Sequence, residues 1–411
     1  MRIVDIHCKT ILDSRGDPTI EVQMQGEHAS VMASVPSGKS RGIHEAVPVS
    51  ASEAVEHCHA ICKLICSRIF ADQKEFDAFL IARDGTKDKH HLGANVMLAL
   101  SLAFARLWAQ EHKKELASSL RDTFNTQYPS HTHSKDTLHL VCNVINGGAH
   151  VDPSEEWVMR NGSPRLDVQE FQVIPMVDDV AMALSVATEF YAKLGRVLAD
   201  RFSEQDIFLG DEAGYVAPFE SNEDALETLY ELIQQHQYPL QIGIDAAASQ
   251  FFAHERYTVG GNSYSAVQLL EYYTGLRERY DLYSIEDPFF EEDFLSFARL
   301  EQRWKQQEGL IITDDLTTTN PDRLVRAIER SAGNAILVKP NQIGTLSETF
   351  AVVAKAYQFG WKVVVSHRSG ETMDDFIADL AVAVGAWGLK SGAPGKPERM
   401  VKYQRATQLL T

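Results

Sequence analysis

The sequence predicts an α/β protein in which an α+β N-terminal domain, residues 1–135, precedes a β/α barrel over residues 136–411. Three observations carry that prediction. A chain of 411 residues is too long for one small core and suits a large domain beside a smaller one. From about residue 136, short apolar stretches alternate with longer helical segments, the pattern of β/α units on a mostly parallel sheet. Six successive strands of that region end in a functional side chain, and in a closed barrel all such ends open on the rim where active sites are built.

Taken in order, the chain opens with a strand meander. KTILDSRGDPTIEVQMQGEHASVMASVPSG holds apolar stretches separated by Gly-Asp-Pro and Gly-Glu-His, the punctuation of antiparallel strands. Helical spacing follows near residues 52–69, 74–81 and 94–115, and the polar passage FNTQYPSHTHSKD reads as a linker with the domain boundary near residue 135. Beyond it, QIGID closes on Asp245, LYSIED on Glu286 and Asp287, LIITDD on Asp314 and Asp315, AILVK on Lys339, VVVSHR on His367 and Arg368, and AWGLK on Lys390. From Asp245 the key residues are spaced by 41, 28, 25, 28 and 23, each interval room enough for a helix and a return strand. Acids end three consecutive strands and bases the next three.

Composition narrows the function. A net charge of −18 argues against nucleic acid and anionic membrane as partners, because non-specific binding to either is built on basic surface. No run approaches the apolar length of a membrane helix, and Asp5, His7 and Lys9 stand where a signal peptide needs an apolar core, so a cytoplasmic location is expected. Five cysteines give no disulfide framework, and Cys58, Cys62 and Cys66, four residues apart, read as one packed helix face rather than a metal site.

The strand-end groups point to a chemistry. Asp245, Glu286 and Asp314 offer three hard carboxylates without cysteine, a donor set suited to Mg²⁺; the alternative is that arginines neutralise them. Beside a divalent cation and another ammonium, Lys339 is expected to be driven towards the neutral amine that a general base requires. Metal and lysine together suggest removal of a proton next to a carboxylate. Asp211 and Glu212 in FLGDEAGY, and Gln169 and Glu170 in VQEFQVIP, supply carboxyls able to hold different protonation states, so that one can donate to a departing hydroxide. Arg368 and Ser369 in SHRSGET form a grip for phosphate, and PSGKSRG near Ser40 offers a second anion contact.

These blocks together resemble the enolase (phosphopyruvate hydratase) family over nearly the whole chain. ILDSRGDPTIEV, PSGKSRG, LGANVMLALSLAFAR, NVINGGAH, QEF, GDEAG, IEDP, DDLTTTNP, KPNQIG, SHRSGET and KSGAP look like the family's segments in the family's order. The resemblance implies an α+β domain followed by an enolase-type eight-stranded barrel whose second strand is antiparallel. It further implies dehydration of 2-phosphoglycerate to phosphoenolpyruvate with two Mg²⁺ ions per site. Asp245, Glu286 and Asp314 would hold the first ion and Ser40 the second; Lys339 would remove the C2 proton. Glu212 would assist loss of the 3-hydroxyl with Glu170 beside it, and Gln169 would support that side. Lys390 would hold the substrate carboxylate, His150 and His367 would line the pocket, and Arg368 and Ser369 would bind the phosphate. A homodimer or higher homo-oligomer is expected.

The sequence also departs from the family. The usual SGAST reads SGKSR, adding Lys39 and Arg41, and the loop over residues 151–168 is longer. GDEGG has become GDEAG at Ala213, SEF has become SQF at Gln250, and KVNQ has become KPNQ at Pro340. No catalytic group is lost. Beside the enzyme itself stand two alternatives: a paralogue for a related phospho- or phosphono-carboxylate, and a non-catalytic binding protein, which predicts erosion of the rim residues.

Overall fold

The computed structural model describes residues 1–38, 42–129, 137–151, 158 and 166–411. The expected meander is there: Asp5–Leu12, Pro18–Gln25 and Ser30–Ser34 form an antiparallel sheet in that order. Its turns fall at the Gly-Asp-Pro and Gly-Glu-His punctuation. Helices Ala51–Cys66, Gln73–Asp84, Ala94–Glu111 and Leu116–Gln127 follow. Ser50 starts the first with a capping box, which satisfies free backbone donors at both ends of that contact. Helix Ala94–Glu111 is buried on nearly every side, which is why it reads as AFAR-rich and apolar rather than striped.

The polar passage read as a linker begins inside helix Leu116–Gln127, and the boundary placed near residue 135 lies outside the described residues. The cysteines match the packing reading: Cys8 and Cys58 are buried between strand and helix, and Cys62 and Cys66 lie 3.8 Å apart on the same helix face.

The barrel is borne out. Strands His139–Asn146, Glu170–Pro175, Leu240–Asp245, Leu282–Glu286, Leu310–Thr313, Ala335–Val338, Lys362–Ser366 and Gly388–Lys390 are neighbours in chain order, and the last pairs with the first to close the ring. Seven run in one direction; Glu170–Pro175 is antiparallel to both of its neighbours. Branched and apolar side chains such as Val141, Ile174, Ile312, Leu337 and Val364 fill the interior, so the barrel is a packed core rather than a pore. No described helix is long and apolar enough to cross a membrane.

Candidate active site

The site lies at the rim where the parallel strands end. Asp245, Glu286 and Lys390 are the last residues of their strands, and Asp314, Lys339 and His367 stand one residue past theirs. Glu170 joins them by the opposite route. It opens the reversed strand, and its register partner is Asp245, so the beginning of that strand meets the ends of the others. These groups line a cleft of about 510 Å³ including its open mouth, which also admits Glu45, His150, Gln169, Glu212, Arg368 and Ser369. Glu286 lies just beneath, 1% exposed.

Charge is arranged in two clusters. Lys390 Nζ stands 2.7 Å from Glu286 Oε2, 2.9 Å from Glu170 Oε2 and 3.3 Å from Asp245 Oδ2. Burial would lower the ammonium's pKa, but those three carboxylates push it well above its ordinary value. One ammonium cannot balance three acids. Glu170 and Glu286 are accordingly driven well above the carboxylate range, by burial first and then by the neighbouring charges of Glu212 and Asp245 respectively. Lys339 Nζ pairs with Asp314 Oδ2, whose Oδ1 accepts from Gln342 at 2.9 Å. Asp287 accepts the backbone N–H groups of Asp314 and Asp315 at 3.0 and 2.6 Å, fixing the turn that presents Asp314.

The ammonium groups touching these acids are Lys390, at Asp245 and Glu286, and Lys339, at Asp314. Burial depresses the Lys339 pKa, and the contact with Asp314 outweighs that and leaves it raised.

Even so, the donor set fits Mg²⁺. The three acids offer hard oxygens, and Glu286 Oε1 is a buried oxygen without a hydrogen-bond partner. Among the described residues, two groups have ligand atoms within 4.8 Å of one another: Asp287 with Asp314 and Asp315, and His150 with Glu170 and Glu212.

The second group joins two carboxyls through an imidazole ring. His150 Nδ1 and Nε2 lie 3.7 Å from Glu170 Oε1 and Glu212 Oε1, and His367 Nε2 lies 3.3 Å from Glu212 Oε2. Asn143 donates to Glu212 Oε2 at 3.1 Å. Burial would raise Glu212, but the imidazoles of His367 and His150 hold it well below the usual range, while its neighbour Glu170 goes up. The two carboxyls are thus pushed in opposite directions, Glu170 up and Glu212 down. His367 is lowered to about 4, chiefly by burial.

Gln169 bridges the two sides: its Nε2 faces Asp245 Oδ2 at 3.4 Å, and its Oε1 accepts from Gln250 at 2.5 Å. Arg368 makes a two-pronged contact with Glu45 at 2.9 and 3.2 Å and donates to Asn341 at 3.0 Å. Ser369 Oγ accepts from Arg15 at 3.3 Å. Ala213 sits at φ +66° with its carbonyl held by Tyr191, a left-handed position that ordinarily favours glycine.

The structure therefore brings together Gln169, Glu170, Glu212, Asp245, Asp314, Lys339, His150, His367, Arg368, Ser369 and Lys390 in one cleft, with Glu286 below. Ser40, Lys39 and Arg41, and most of the longer loop over 151–168, lie outside the described residues. Three contributors escaped the sequence reading: Glu45, Asn143 and the fully buried Arg399, which donates to His367 Nδ1 at 2.6 Å. Only Glu45 carried a signal, as an acid three residues beyond Gly42 of the PSGKSRG segment.

Comparison with known proteins gives one answer along the chain. Residues 3–120 match the family described as enolase, N-terminal domain, and residues 139–410 match enolase, C-terminal TIM barrel domain. The enolase of Methanococcoides burtonii is 38% identical over 99% of this chain and 94% of its own length. Those of Methanocaldococcus jannaschii and Pyrococcus furiosus are 37% and 36% identical with the same coverage.

Proposed function

The chain belongs to the enolase family and is a hydro-lyase, a phosphopyruvate hydratase, and we propose that it interconverts 2-phosphoglycerate and phosphoenolpyruvate in the barrel cleft. The observation that supports this reading most is the placement of an amine, Lys339, and a carboxyl pair, Glu170 and Glu212, in one cleft with the carboxylates of Asp245 and Asp314. A small acid lying among them offers its C2 hydrogen to one side and its 3-hydroxyl to the other.

In this reading Lys339 takes the C2 proton. Burial, Arg368 and Lys390 all favour its neutral amine, and Asp314 opposes them, so the base form emerges when Asp314 is engaged elsewhere. Mg²⁺, when held by Asp245, Glu286 and Asp314, supplies the positive charge that offsets the substrate carboxylate as electrons build up on it. Lys390, released from part of its carboxylate cluster, holds that carboxylate. The Glu170 and Glu212 pair carries one proton between two carboxyls, and Glu212 delivers it to the departing hydroxyl with His150 and His367 excluding water around it. Gln169 orients the same end. Arg368 and Ser369 bind the phosphate, for which Arg368 exchanges part of its grip on Glu45. A second ion at Ser40 belongs to this proposal on the family resemblance alone.

A second copy of the chain is the proposed partner. Leu12, Met32 and Met373 are 65%, 57% and 60% exposed and line one groove between the meander and the barrel, an apolar strip of the kind a homodimer covers.

The deciding experiment offers 2-phosphoglycerate with Mg²⁺ to the purified protein. Phosphoenolpyruvate formation supports the proposal. Binding without turnover points instead to a non-catalytic protein, and neither binding nor turnover to a related phospho- or phosphono-carboxylate substrate.

A further inference from the structure

We infer that Arg399 is a positioning residue that fixes His367 in one tautomer, with its proton on Nε2, the ring nitrogen beside Glu212. The inference builds on the proposed role of the Glu170 and Glu212 pair. Arg399 has no exposed surface, although it lies in the first turn of helix Pro397–Leu410, a segment whose polar sequence reads as solvated. Its guanidinium donates to the backbone oxygens of Arg368 and Ser369 at 2.6 Å each, to that of Asp211 at 3.0 Å, and to Ser14 Oγ at 3.4 Å. It also faces His367 Nδ1 at 2.6 Å.

A guanidinium has five N–H donors and no acceptor, so the nitrogen it faces at that distance must present a lone pair. Nδ1 is then bare, and a neutral ring carries its hydrogen on Nε2. Nε2 is buried and lies 3.3 Å from Glu212 Oε2, placed to donate to that carboxylate. Gly392, at φ +69°, packs closely beside the pair: a Cβ there would meet the Glu212 carbonyl oxygen at 2.5 Å and both His367 Cε1 and Arg399 Cδ at 3.2 Å. A second consequence follows for the chemistry. A ring pinned this way donates towards Glu212 and does not store the proton that leaves with the hydroxyl, which stays on the carboxyl pair.

The test is a long-range ¹H–¹⁵N correlation spectrum of the full-length protein labelled in its histidines, with the His367 signal identified by its loss in His367→Asn. At pH 7 the expected pattern is a protonated Nε2 and a bare Nδ1; a protonated Nδ1, or protons on both nitrogens, overturns the inference whatever the protein's activity. Arg399→Lys keeps a cation but has only three N–H donors for the five acceptors, so a mixture of tautomers should appear. Its kcat should fall roughly 10- to 100-fold with KM within about twofold, the range seen when the partner orienting a functional imidazole is lost. A wild-type tautomer and an unchanged pH profile in Arg399→Lys would assign the orientation to something else. If Arg399→Lys does not fold, the wild-type spectrum alone still decides the tautomer. Because the spectrum needs no turnover, an inactive protein with the expected pattern separates failure of the hydratase reading from failure of this one.

Discussion

Replacing Lys390 by Met removes the single ammonium that three carboxylates share, at 2.7, 2.9 and 3.3 Å, while keeping the length of its apolar stem. Each partner is nearly buried, with side-chain exposures of 1, 2 and 5% for Glu286, Glu170 and Asp245. Removing one partner of a buried ion pair costs about 3–5 kcal/mol, because the remaining charge is left uncompensated. Here two of the three acids already sit far above their ordinary pKa and can take up protons, so the lower end, about 3 kcal/mol, is expected at neutral pH. For a chain of 411 residues the unfolding entropy is ~0.9 kcal/mol/K, so that cost lowers Tm by ~3–4 °C. The same change makes the site more negative, and a divalent cation should then stabilise the variant more than the wild type. Differential scanning calorimetry of both proteins, with EDTA and with saturating Mg²⁺, reads both effects. If Lys390→Met loses no stability in EDTA, or gains no more from Mg²⁺ than the wild type does, the shared-ammonium account of this cluster is wrong.

Other outcomes follow from the same geometry. Lys339→Ala should abolish exchange of the substrate C2 proton with solvent, whereas Glu212→Gln should keep exchange and block dehydration; NMR of substrate in deuterated water distinguishes them, and exchange surviving in Lys339→Ala would remove the base assignment. Gln250→Glu replaces a donor to Gln169 Oε1 with an acceptor of the same shape, so the Gln169 amide should turn over and point its oxygen at Asp245; the crystal structure of the variant and a rise in KM report it. Leu12→Glu combined with Met373→Glu should convert a dimer to a monomer in analytical ultracentrifugation, with the fold intact by circular dichroism.

The strand-end groups were legible because a barrel strand is short and apolar, and a charge at its end has nowhere to go but the rim. Asp245, Glu286, Lys339 and Lys390 announce themselves that way. Glu170 does not, since it opens EFQVIP instead of closing it and a strand segment carries no direction; its arrival on the rim depends on a strand reversal that only the family resemblance implied. Arg399 was invisible for the opposite reason. PERMVKYQR looks like a solvated face, yet three backbone oxygens from two loops converge there and bury the guanidinium among them. The place of Lys339 on the rim was legible, but its direct contact with Asp314 was not, because sequence spacing does not give which atom lies nearest.

The acids of the cleft outnumber its bases, and that imbalance fixes how stability responds to pH. Glu212 and Asp314, lowered in the fold, contribute stability above their ordinary range that is lost only in acid. His150 and His367, also lowered, contribute stability that is complete above about pH 6.5 and lost as pH falls, towards about 4 for His367. Lys339 and Lys390, raised, lose theirs only above the ordinary lysine range. From pH 6.5 to 9 these six groups hold the same charge folded and unfolded. What remains is the set pushed upward by burial and mutual repulsion: Glu170, Glu286, Asp287, and Asp315 at about 8. These bind more protons folded than unfolded, so each destabilises the fold as rising pH strips it. The Tm of the protein in EDTA should therefore fall between pH 6.5 and 9, and Mg²⁺ should flatten the decline by replacing those protons with a cation. A metal-free Tm that holds level or climbs across that interval would mean that the cleft balances its charge by some means other than protons on buried acids.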